Sequence, residues 1–156
     1  MGKSVRPGQV YEIADPPHGF YYGVIAAGDD VIFLDTARAE QALSVEAIDL
    51  TTDLMRLAVN HPSIRRAGWR LLGDTPVEGR LAEYGLYIYG EPQSGIARVY
   101  DNKDASVRSV PEPEVSHLEM LGAWDAVNHI PKLLRQHFFG EETSLARGVR
   151  SPWFRR

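Results

Sequence analysis

Apolar residues come in short clusters near the start of the chain, with polar breakers between them. Val10-Tyr11-Glu12-Ile13 is the first run, and Asp15-Pro16-Pro17-His18-Gly19 ends it. Residues 20–26 form the second, Ala27-Gly28-Asp29-Asp30 interrupts it, and residues 31–34 form the third. β-branched and aromatic runs between turns rich in Gly, Pro and Asp predict an antiparallel meander over residues 7–35. Strand alternation puts Phe20, Tyr22 and Val24 on one face, and Tyr21, Gly23 and Ile25 on the other. Both faces are largely apolar, so the strand is either covered on both sides or shows an aromatic patch to a partner. Gly23 suits a bulge or sharp bend of the kind a small barrel needs at a corner.

Further along, residues 37–47 carry only a thin apolar stripe, enough for one or two helical turns. Residues 54–59 alternate as a strand does, and residues 61–68 read as a turn or short helix ending at Gly68. Trp69-Arg70-Leu71-Leu72 is another short strand, with Trp69 and Leu71 on one inward face. Residues 86–89 and 96–100 are two strands, and the intervening GEPQSG makes them a hairpin with a longer loop. Residues 101–104 form a polar turn, residues 106–110 a last hairpin partner, and residues 113–120 a brief helix. The clearest helix is C-terminal. Val127, Ile130, Leu133, Leu134 and Phe138 recur on one helical face, with Asp125 or Asn128 as cap, Pro131 in the first turn and Gly140 as terminator. These elements form a single α+β domain over residues 1–140: a bent antiparallel sheet or partial SH3-like barrel with the C-terminal helix packed on it. Residues 141–156 read as a basic, partly disordered tail whose Trp153-Phe154 pair docks back onto the domain or onto another copy.

Length and composition fit this picture without narrowing the function. The 156 residues suit one domain, and 44% hydrophobic and 24% charged residues are ordinary globular values. No apolar run approaches the roughly 20 residues of a membrane span, and the N-terminus has no secretory or myristoylation pattern. The chain has no cysteine, which excludes disulfide and thiol chemistry and fits a cytoplasmic protein. Charge is more informative. The net value is −4, yet residues 143–156 hold four arginines and no acid, so the rest of the chain carries −8. An acidic body argues against a nucleic-acid surface and suits a basic protein partner.

Candidate chemistry is sparse. Histidines 18, 61, 117, 129 and 137 show no recognised metal spacing, and His129 and His137 lie two helical turns apart. A metal-dependent site would have to gather His18, His61, Asp29, Asp35 and His117 from separate elements. There is no GxSxG elbow and no glycine-rich phosphate loop. Tyr21, Tyr22, Tyr84, Tyr87 and Tyr89 near strand edges suit a protein interface, and equally the core of a barrel with hydroxyls at its rim.

Several stretches together resemble the immunity protein 26 family of bacterial polymorphic toxin systems. They are Pro7-Gly8-Gln9-Val10-Tyr11-Glu12-Ile13, Gly19-Phe20-Tyr21-Tyr22-Gly23-Val24-Ile25, Gly68-Trp69-Arg70-Leu71-Leu72-Gly73 with Pro76, and Ala123-Trp124-Asp125 before the helix. The likeness runs from residue 7 to 140 in the right order, and the extension after Gly140 departs from it. It implies a β-rich domain that neutralises a cognate toxin by binding, with no catalytic residue, cofactor or metal. The family label has also been attached to a small phosphotriesterase, so a metal-dependent hydrolase of phosphotriesters is the alternative. Under the binding reading the partner-facing residues are Tyr21, Asp29, Asp30, Asp101 and Asp104, and a homo-oligomer through the tail is a further option.

Overall fold

A computed structural model describes residues 4–156. The meander forms as the pattern requires: β1 (Gln9–Asp15), β2 (Gly19–Ile25) and β3 (Val31–Arg38) pair antiparallel in sequence. β4 (Asp53–Leu57) adds to β3, and β5 (Arg70–Asp74) returns to the free edge of β1. The five-stranded order is therefore β4-β3-β2-β1-β5, a bent sheet with β4 and β5 as its open edges. Register shifts in three of its four pairings supply the bend. Gly23 sits at one of them, where a Cβ would lie 3.0 Å from Val31 Cγ1, so a larger residue would spread β2 from β3.

Both faces of this sheet are covered, which explains why β2 is apolar on both sides. Val10, Tyr22, Val24, Ile32 and Leu34 pack on one face with Ala42, Ile48 and Leu81 from the connections. Tyr11, Ile13, Tyr21, Ile25 and Phe33 pack on the other against α2 (Ile130–Phe139). The stripe Ile130, Leu133 and Leu134 is buried, and Phe138 stacks on Tyr21 at 5.6 Å. The helix starts later than its apolar spacing suggests. Asp125 accepts hydrogen bonds from the Val127 and Asn128 N–H groups and so caps a separate turn, which leaves Val127 exposed. Pro131 then falls in the first turn of α2, where its missing N–H costs nothing. The shorter α1 (His61–Ala67) is capped by Asn60 and ends at Gly68 in the left-handed region.

The architecture is α+β with a bent antiparallel sheet, as the pattern requires, and two details refine it. The hairpin strands β6 (Leu86–Ile88), β7 (Ile96–Asp101) and β8 (Ser106–Pro111) make a separate three-stranded sheet rather than extending the first. It buries one side, centred on Ile88, Ala97 and Val99, against residues 115–120, and its half-apolar alternation meets that need. Residues 141–156 dock back onto the domain, as the Trp153-Phe154 pair suggested, through Phe154 and not Trp153. Val149 and Phe154 join the main core, and Phe154 stacks on His137. Ser151 Oγ donates to the Leu54 carbonyl at 2.6 Å, and the Arg155 N–H donates to His137 Nδ1 at 2.8 Å. Glu119 accepts from the Ser151 N–H at 2.6 Å and from Arg150, the type of anchoring that basic composition and low hydropathy conceal. Trp153, in contrast, stays 71% exposed.

Buried charge ties the helix to the sheet. Asp15 receives both Arg135 Nε and Nη2, at 2.8 and 2.7 Å, together with the Tyr21 hydroxyl at 2.7 Å. Burial alone would raise the Asp15 pKa, but these bonds outweigh it and hold the carboxyl below its ordinary 3.8. The unfolded chain then takes up this proton first as pH falls, so the stability linked to Asp15 is present above 3.8 and lost through the lower folded value. Asp15→Asn is expected to flatten the loss of stability between about pH 5 and pH 2, measured by urea denaturation at each pH. At neutral pH, Phe154→Ala is expected to cost about 3 kcal/mol and Trp153→Ala less than about 0.5 kcal/mol, by the same method.

Candidate functional site

Two turns far apart in sequence meet at one edge of the molecule. The β2–β3 turn is closed by Ala26 N–H donating to the Asp30 carbonyl and Asp29 N–H to the Ala26 carbonyl, at 2.9 and 3.0 Å. Gly28 and Asp29 both take positive φ, and Asp tolerates that region better than most residues. The β7–β8 turn is shaped by its own acids: Asp101 accepts from the Lys103 N–H at 2.9 Å and Asp104 from the Ser106 N–H at 3.0 Å. Asn102 Nδ2 then donates to the Gly28 carbonyl at 3.1 Å and locks the turns together. The fit is close: a Cβ on Gly28 would collide with the Asn102 amide and lie 3.0 Å from Tyr84 Cδ1. His61 Nε2–H donates to the Asp29 carbonyl at 2.6 Å, fixing the turn from α1.

The outcome is a small acidic platform. Asp29 and Asp104 are exposed, Asp101 is half-exposed, and Tyr84 beside them is 42% exposed. Bonds from Ser106 hold the Asp104 carboxyl below its usual range, so it is charged at neutral pH. Sequence reasoning selected these three acids but had no signal that their turns touch, because Asn102 and Gly28 are 74 residues apart.

The other two selected residues are not partner-facing. Tyr21 is fully buried, with its hydroxyl committed to Asp15. Asp30 is 2% exposed and receives Arg56 Nε and Nη2, each at 2.8 Å, and the Tyr87 hydroxyl. Arg56 also donates to the carbonyls of Ala27 and Glu83, at 3.1 and 2.7 Å. The ion pair, with Asp30 buried and Arg56 partly so, thus joins β4, the β2–β3 turn, β6 and the connection before it, beneath the platform. Burial, reinforced by the adjacent Asp30 charge, pushes the Tyr87 phenol well above its usual range and keeps it a donor. An acid beside an apolar run reads as a turn residue in the sequence; its burial depends on an arginine 26 residues away.

Next to the platform, a cleft of about 410 Å³ opens between the two sheets, lined by Met55, Arg80, Tyr84, Leu86, Glu119 and Trp153. Two of its polar walls are already engaged: Arg80 pairs with Asp53, and Glu119 holds residues 150 and 151, while Glu83 and His117 also line it. Burial raises the Glu119 pKa despite these backbone bonds. Of the five residues a metal-dependent hydrolase would have to gather, His61 meets the Asp29 carbonyl, whereas His18 contacts Glu141, Asp35 pairs with His137 and His117 lines the cleft. Among the described residues no three His, Asp or Glu side chains form a group able to hold a metal ion. No helix among them is long and apolar enough to cross a membrane.

No family model, curated protein or solved structure matches the chain. The roles of the two neighbouring aspartates separate experimentally. Arg56→Ala leaves Asp30 buried and uncompensated and is expected to cost about 3–5 kcal/mol, whereas Asp29→Asn is expected to shift stability by less than about 0.5 kcal/mol, both from equilibrium denaturation.

Proposed function

We propose that the chain is an immunity protein, a non-catalytic module that binds and neutralises a bacterial toxin with a basic surface. The observation that carries this reading is the joined pair of acidic turns. Asp29, Asp101 and Asp104 come from two different sheets, are held by backbone and amide bonds, and have an exposed tyrosine alongside. A preorganised acidic rim with an aromatic neighbour is the chemistry that steers a basic protein and then retains it. The resemblance to the immunity protein 26 family supplies the class of partner, and the −8 carried outside the arginine-rich segment supplies the long-range field.

Each acid can be neutralised without disturbing its turn, because asparagine keeps the acceptor oxygen and tolerates positive φ. The test uses the effector domain of any polymorphic toxin found encoded next to this chain, with association followed by stopped flow over a salt series. Asp29→Asn, Asp101→Asn and Asp104→Asn combined are expected to slow association about tenfold at low salt and flatten its salt dependence. Unchanged rates would take the platform out of the interface, and absence of any complex would remove the immunity reading.

A further inference from the structure

The arginine-rich segment forms a feature that the acidic platform does not use. Arg147, Arg150 and Arg156 line one shallow cavity of about 610 Å³ with Ser116, the buried Gln136 and the aliphatic Val149. Among the described residues none of these guanidinium groups has a carboxylate within 4.0 Å, whereas Arg56, Arg70, Arg80 and Arg135 are all paired. Two of the three are instead fixed by backbone carbonyls. Arg150 donates to Ser116 at 3.2 Å, and Arg156 donates to Ser151, Phe154 and Val149. Among the described residues the Arg147 side chain makes no hydrogen bond, and it is exposed at the rim of the cavity. Two acids lie near: Glu142 lines an adjoining hollow with Arg147 and Arg156, and Glu119 sits behind, committed to the N–H groups of residues 150 and 151.

We propose that this cavity binds a small multivalent oxyanion of the phosphoryl type. Three like charges in one hollow repel each other, and an anion between them relieves the repulsion. Guanidinium forks match tetrahedral oxyanions by paired N–H donors, and the Arg150 and Arg156 groups, anchored by carbonyls, are already placed while each keeps an Nε–H and other N–H groups that those bonds do not use, so little ordering remains to be done on binding. Gln136 keeps its position through Oε1, which accepts from the Thr143 N–H at 2.9 Å, and so forms a polar wall that does not depend on the ligand.

The probe is pyrophosphate, titrated calorimetrically into the full chain with ionic strength fixed by chloride. Saturable one-to-one binding is expected, weakened about tenfold by Arg147→Ala, since one charge-assisted bond of this type is worth about that factor. Arg147 has no structural bond to lose, so that variant keeps its fold. Arg108→Ala, which removes an exposed arginine on β8, is expected to leave binding unchanged. The proposal is overturned if no saturable heat appears, if Arg147→Ala binds as the unaltered chain does, or if Arg108→Ala weakens binding equally.

Discussion

The bidentate pair between Arg56 and Asp30 is the contact on which the rest of the architecture depends. It is the point where the five-stranded sheet, the three-stranded sheet and the connection between them share one set of hydrogen bonds. A buried carboxylate is costly unless it is hydrogen-bonded, and here two guanidinium nitrogens and a phenol donate to it. The guanidinium in turn spends its remaining donors on carbonyls. Neither sheet contributes this set alone, so the ion pair acts with the Asn102 bond to the Gly28 carbonyl in placing the two acidic turns.

A second buried acid has a different balance. Glu119 holds the chain at residues 150 and 151 with two backbone bonds, yet burial keeps its pKa raised. A raised carboxyl favours the folded state most when protonated, so above its folded pKa this charge works against folding. The apolar contacts of Phe154 and Val149 offset that cost. The segment is therefore held by packing and positioned by the Glu119 carboxylate.

Local patterns revealed most elements but not their assembly. Turn residues around Asp15 and Gly28 located the meander, and Gly23 located a bend, because these depend on conformational preferences within a few residues. The helix face at Ile130, Leu133 and Leu134 was equally legible. The split into two sheets was not, because alternation reports how many faces are covered and not by which partner. Residues 141–156 looked loose because polar and basic residues outnumber large apolar ones there, while their anchors, Leu54, Glu119 and His137, lie elsewhere in the chain. At the platform, Asp29, Asp101 and Asp104 were legible as exposed turn acids. Asp30 and Tyr21 were misplaced, since only the fold shows that Arg56 and Asp15 wait for them.

The clamp between Arg135 and Asp15 spans 120 residues, and the bond from Ser151 to Leu54 spans 97. Contacts this remote reward the chain only after the entropy of closing large loops has been met. The meander of β1 to β3 can assemble from neighbours, but the covering of its Tyr21 face by α2 and Phe154 must come late. Until then that face is open to solvent and to other chains, so the slow stage of folding is also the interval in which this protein is most prone to aggregate.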